Sequence, residues 1–182
     1  MKRILVPTDF SDHAEYALKV AAQIAKRTNS DLHILNLLDL PSHMNDAVSS
    51  GVNIPEVMLF LKKTQERLEE LSNESYLQGI TVTTAARIEK AFEGIVTYSR
   101  EVQADLIVMG SHGSSGFREI MIGSNTEKIV RTSDIPVLVI KSEITDFKAS
   151  KMLFASDFTL KSKNHSKDSS NLPTFLTPTF TW

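Results

Sequence analysis

The 182-residue chain contains no cysteine. Disulfides, thiolate nucleophiles and cysteine-held zinc or iron–sulfur sites are therefore excluded, and the composition suits a reducing cytoplasm, the expected location. No apolar run approaches the roughly 20 residues that a membrane span needs, and Ile4-Leu5-Val6 is too short for a signal-peptide core. Nor does charge of one sign dominate. Lysine and arginine total 20 against 22 aspartates and glutamates, a net charge of −2, so no nucleic-acid footprint or basic membrane patch is expected. The signatures G-x-x-x-x-G-K-[ST], G-x-G-x-x-G, H-E-x-x-H and G-x-S-x-G are absent too. Histidines 13, 33, 43 and 165 form no ligand spacing, and no metal site is expected.

What is present is an alternation of short apolar runs with amphipathic ones. Ile4-Leu5-Val6, ending at Pro7, reads as a buried strand. Ser11 supplies a helix cap, and Ala14, Leu18, Ala21, Ala22 and Ala25 recur at helical spacing through Lys26. Leu32 to Leu38 is near-continuously apolar, as in a strand covered on both faces. A polar loop over Pro41 to Asn53 then precedes a long helix from Pro55 to Leu77, whose Leu61, Leu68 and Leu71 face inward. Further strands are expected at Ile80–Thr84, Leu106–Met109 and Pro136–Ile140, with helices at Ala91–Val102 and Asn125–Arg131. The expected architecture is α/β, an open five-stranded parallel sheet with helices on both faces.

In such sheets ligands bind beyond the carboxyl ends of the strands. Two loops fall there: Pro7 to Ser11, and Gly110 to Ser124. The second reads Gly110-Ser111-His112-Gly113, nine residues, then Gly123-Ser124-Asn125-Thr126. Gly110 and Gly113 let backbone approach a ligand, and Gly123-Ser124 opens a helix whose free N–H groups and positive dipole end suit phosphate. The hydroxyls of Ser124 and Thr126 are candidate further donors. Plain turn chemistry is the competing reading of the same glycines. Asp9 either bonds its own turn or meets a ligand, and His112 lines the loop or touches phosphate; Arg118 is read as a solvated surface side chain.

The segments Ile4-Leu5-Val6-Pro7-Thr8-Asp9-Phe10-Ser11 and Asp105-Leu106-Ile107-Val108-Met109-Gly110-Ser111-His112-Gly113 resemble the universal stress protein family. The spacing G-x2-G-x9-G-[ST] resembles the motif of its ATP-binding branch, and Ile135-Pro136-Val137-Leu138-Val139 resembles its final strand. That resemblance implies strand order 3-2-1-4-5 and a domain over residues 1–142. It also implies ATP as ligand, with or without Mg²⁺. Residues matching Pro7, Thr8 and Asp9 contact adenine and ribose in those proteins, and the backbone matching Leu37 holds the adenine edge. Positions matching Met109, Gly110 and Gly113 line ribose and phosphates, and those matching Gly123, Ser124, Asn125 and Thr126 hold the phosphates. Asn125 departs from the pattern, where an apolar residue is common, but its N–H survives.

Residues 151–159 echo residues 3–11, Asp157 matching Asp9 and Phe158 matching Phe10. Residues 143–160 therefore read as a linker and the first strand of an aborted second copy. Residues 161–182 read as a disordered or frameshifted tail, because a neighbouring-frame back-translation of 172–182 aligns with residues 24–34. With its second copy lost, the domain is expected to form a homodimer through the strand Pro136–Ile140. Two function classes follow. One is an ATP-dependent stress-response module signalling to a protein partner, with at most slow hydrolysis. The other is an interaction protein of the same fold that binds no nucleotide.

Overall fold

A computed structural model describes residues 1–39, 54–112 and 123–149. The expected loop at Pro41–Asn53, Gly113, Arg118 and the echo beginning at residue 151 lie outside the described residues. Met1–Thr145 form one unit; of the second, Asp146–Trp182, only 146–149 are described.

The strands are β1 (Arg3–Pro7), β2 (Asp31–Leu37), β3 (Val82–Arg87), β4 (Leu106–Gly110) and β5 (Val137–Ile140). They form one sheet of order β3-β2-β1-β4-β5, every pairing parallel. The order inferred by resemblance is therefore the observed one. The central strands explain why the apolar runs are continuous. Ile4, Leu5 and Val6 are wholly buried, and all five residues of β4 are buried, because helices cover both faces.

Helix α1 (Asp12–Thr28) is capped by Ser11, whose hydroxyl accepts from the Ala14 N–H, and is closed by Asn29 at φ 51°. Its buried face is largely alanine, which lets its backbone lie close on the sheet. Helix α2 spans Ile54–Ser72, α3 Ala91–Glu101 and α4 Ser124–Thr132. Leu5, Leu35, Ile95, Ile107, Met109 and Ile129 join the core on the α3 and α4 side.

Two boundaries differ from the sequence reading. The long helix ends at Ser72, followed by a 3₁₀ turn at Ser75–Leu77. The Ser72 hydroxyl and the Asn73 amide both donate to the Glu69 carbonyl, at 2.8 and 2.9 Å, drawing off the acceptor that a continuing helix would need. Its buried stripe is Val57, Thr64 and Leu68, while Leu61 and Leu71 are half-buried. The third strand is shifted to Val82–Arg87. The Ile80 N–H donates to Leu77 and Gly79 sits at φ 81°, so the turn consumes Ile80. At the far end the ladder with β2 runs to Leu37↔Arg87, recruiting alanines that carry no strand signal of their own.

At the opposite rim, Asp105 ties β4 to β1 by accepting from the N–H groups of Lys2 and Arg3. Burial pushes this carboxyl up, but those donors and the nearby positive charges outweigh it and hold it below its ordinary value.

Candidate functional site

Strands β1 and β4 are neighbours, and the connection after β1 runs to β2 on one side while that after β4 runs to β5 on the other. That is the switch in strand order where open sheets bind ligands. A cleft opens there.

The first wall is the segment after β1. The Thr8 N–H donates to the Leu35 carbonyl at 2.8 Å, and the buried Asn36 amide donates to the Thr8 carbonyl at 2.8 Å. The Thr8 hydroxyl accepts from the Phe10 N–H at 3.0 Å. Asp9 Oδ1 accepts from both the Ser11 N–H, at 3.1 Å, and the Ser11 hydroxyl, at 2.6 Å. Asp9 therefore does bond its own turn, and it also lines the cleft. The price of this tight path is Phe10 at φ 61°, a left-handed conformation that is costly for a bulky residue. The Arg67 guanidinium of α2 stacks over its ring, 4.3 Å from the centroid.

The second wall is the end of β2, and its ladder parity decides what it offers. Asp31 donates its N–H to Lys2, and Leu35 accepts from Thr8, so odd-numbered residues address β1. Leu32 and Leu38 donate to Thr81 and Arg87, so even-numbered residues address β3. The β1 ladder stops at Pro7↔Leu35. Leu37, next in the odd set, thus directs an N–H and a C=O past the end of β1 with no strand opposite them. Its side chain, with Ala91 and Ile95 of α3, makes this end of the cleft apolar.

The third wall joins β4 to α4. Met109, Gly110 and His112 line it, followed by Gly123, Ser124, Asn125 and Thr126. The Gly123 N–H donates to the Ser111 carbonyl at 2.8 Å, closing the neck of the intervening loop. The first bond within α4 runs from the Glu127 N–H to Gly123, and Gly123 provides no side-chain cap. Among the described residues the N–H groups of Ser124, Asn125 and Thr126 are therefore without a helical partner, and they stand where the dipole is positive. Ser111 and His112 Nδ1 share a hydrogen bond of 2.9 Å, and the His112 ring lies 5.3 Å from that of His13.

The cleft brings together every residue expected from the sequence to contact the nucleotide except Gly113, which lies outside the described residues. Two of these residues also hold the fold together. Gly110 lines the cleft, and a Cβ there would sit 2.8 Å from the carbonyl carbon and oxygen of His13, so the first turn of α1 by itself requires glycine at this position. The Thr126 hydroxyl donates to the Gly110 carbonyl at 3.0 Å, so its proton is committed to joining α4 to β4. Ala14, Leu35, Ala91 and Ile95 also line the cleft and were missed. Ala91 and Ile95 were findable, because a helix that follows a parallel strand starts at the rim where that strand ends.

An open parallel α/β sheet with a cleft at its switch point defines the class, a domain with a nucleotide-binding fold. Within that class the chain belongs to the universal stress protein family, whose family model matches residues 1–141. Universal stress protein MJ0531 of Methanocaldococcus jannaschii is 31% identical over 141 residues, covering 77% of this chain and 82% of the relative. Universal stress protein MJ0577 of the same organism is 32% identical over 153 residues, covering 77% of this chain and 94% of the relative. The solved structure of MJ0577 superposes with a TM-score of 0.67, covering 79% of this chain and 98% of that one. The universal stress protein UspA of Lactobacillus plantarum superposes at 0.59 with 25% identity, covering 77% and 97%.

Proposed function

We propose that this protein binds ATP in the cleft and acts as a nucleotide-dependent stress-response module in the cytoplasm. One observation carries the reading: the cleft has two differently equipped ends. At one, the N–H and C=O of Leu37, without a strand partner toward β1 among the described residues, stand beside an apolar wall, the complement of a flat heterocycle with a hydrogen-bonding edge. At the other, three free N–H groups open a helix, the complement of phosphate. Pro7, Thr8 and Asp9 lie between, where ribose belongs.

Phosphoryl transfer needs a lysine or arginine clamp and metal carboxylates. Among the described cleft-lining residues there is no lysine or arginine, and Asp9 is the one carboxylate. ATP is accordingly a ligand or switch, turned over slowly at most. Mg²⁺ accompanying it would be held by the phosphate oxygens, and Asp9 is the described cleft carboxylate that could serve it.

Ser124→Pro tests the phosphate end. Ser124 is the first residue of α4, where proline is favoured, and Gly123 already has the extended backbone (φ −57°, ψ 144°) that precedes proline. The variant removes one free N–H and one hydroxyl without opposing the helix. Calorimetric titration with Mg²⁺–ATP is expected to show saturable binding by the wild type and roughly tenfold weaker binding by the variant, at unchanged melting temperature. No heat from wild type at millimolar ATP leaves the fold as an interaction module without nucleotide.

The same module is proposed to be a homodimer through β5. The N–H of Ile107 meets the Pro136 carbonyl and that of Ser111 meets Ile140, so even-numbered residues of β5 address β4. Val137 and Val139 therefore present their backbone groups on the side of β5 away from β4, with no further strand beside it among the described residues. Val139→Pro deletes an outward N–H and leaves the β4 ladder intact. Light scattering at micromolar concentration is expected to give a dimer for wild type and a folded monomer for Val139→Pro; a monomeric wild type refutes the assembly.

A further inference from the structure

Helix α3 carries glycine at its fourth position, where alanine would serve the helix better. Gly94 is buried, and its position explains it. A Cβ there would stand 2.5 Å from Cδ2 and 2.9 Å from Cδ1 of Leu37, with Glu89 Oε2 at 3.2 Å. Leu37 thus lies back against bare α3 backbone. Ala91 and Ile95, flanking Gly94 on the same helix, line the cleft together with Leu37.

We infer that Gly94 sets the width of the cleft's apolar end by giving the Leu37 side chain room to withdraw, making it a positioning residue for the base. The inference rests on reading the cleft as an adenine-nucleotide site.

When a methyl group is added at position 94, something must move. Helix α3 is tethered. Arg87, which pairs with Leu37 across the β2–β3 ladder, donates to both carboxylate oxygens of Glu101 at 2.9 and 2.5 Å and stacks over Tyr98 at 4.6 Å. Ile95 and Tyr98 are buried in the core beneath. The two atoms struck, by contrast, are the tips of a half-buried, flexible side chain that borders open space. Leu37 yields, and its methyls enter the cleft where a purine ring would lie. The phosphate end, built on α4, is untouched.

The test is a cycle of four proteins: wild type, Gly94→Ala, Leu37→Val and the double variant. Valine lacks the two δ carbons that the new methyl strikes and suits a strand. Gly94→Ala is expected to weaken ATP at least tenfold while leaving inorganic tripolyphosphate affinity and the melting temperature nearly unchanged. On the Leu37→Val background the same substitution is expected to change ATP affinity less than threefold. A role confined to stability would lower both ligands together and would not be rescued. Equal ATP affinity in Gly94→Ala and wild type overturns the inference, as does a loss that Leu37→Val fails to rescue. Should wild type bind neither ATP nor tripolyphosphate, the nucleotide reading itself has failed. The Leu37 methyl resonances then decide: displacement by Gly94→Ala supports the wedge, and unchanged positions overturn it.

Discussion

Gly110→Ala is expected to destabilise the domain by about 2–3 kcal/mol, the upper part of the range for overpacking a closed core. Alanine is ordinarily the cheaper residue, since replacing glycine restricts the unfolded chain and contributes about 0.4–1 kcal/mol of stability where the backbone is compatible. Here the added carbon meets the carbonyl group of His13 at 2.8 Å and its Cβ at 3.0 Å. Those are atoms of the first turn of α1, and no side-chain rotation removes them. Relief requires α1 to lift from the sheet, yet Ala17, Val20, Ala21 and Ile24 are essentially fully buried beneath it. The strain also reaches the site, because the Gly110 carbonyl accepts from Thr126 and the wall after β1 leads straight into α1. Equilibrium urea unfolding should show a lower midpoint with an unchanged slope. A loss below about 0.5 kcal/mol, within the scatter of neutral surface changes, would mean that α1 yields freely and that the glycine is there for another reason.

That example marks the limit of what the sequence discloses. Continuous apolar runs such as Ile4-Leu5-Val6 and Leu106-Ile107-Val108 announce strands covered on both faces, because burial on two sides leaves no room for alternation. The glycine-punctuated loop announces the cleft, because helix starts and bare backbone have a local signature. The residues of β3 are different: Ala85, Ala86 and Arg87 become a strand only because β2 stands beside them. The roles of Gly110, Gly94 and Thr126 are likewise set by atoms distant in sequence, His13, Leu37 and the Gly110 carbonyl. Residue type marked Gly110 and Thr126 as candidates and gave no signal at Gly94; only the packing shows what each of the three touches.

The base end of the cleft makes the sharpest demand on its ligand, and GTP is expected to bind at least roughly a hundredfold more weakly than ATP, about 2.7 kcal/mol. Polarity makes the difference. On the proposed reading, with phosphates on α4 and ribose near Asp9, the base would reach Leu37 in one orientation. There it meets one donor and one acceptor whose order is dictated by the strand, because ladder parity turns both backbone groups of Leu37 toward the place that β1 vacates. Adenine presents an amino donor at position 6 beside a bare ring nitrogen. Guanine presents a carbonyl acceptor at position 6 beside a ring N–H, the reverse order. An adenine that satisfies Leu37 is therefore replaced by a guanine that sets donor against donor and acceptor against acceptor. Groups so opposed are desolvated without compensation, which is how a hydrogen-bonding site rejects a ligand of nearly the same shape. Side-chain substitution at Leu37 should leave the preference in place, since the discriminating groups are backbone. Competition titrations of ATP, GTP and CTP against one labelled adenine nucleotide would measure it. Equal binding of ATP and GTP would show that the base stays outside the Leu37 end and that affinity resides in the phosphates alone.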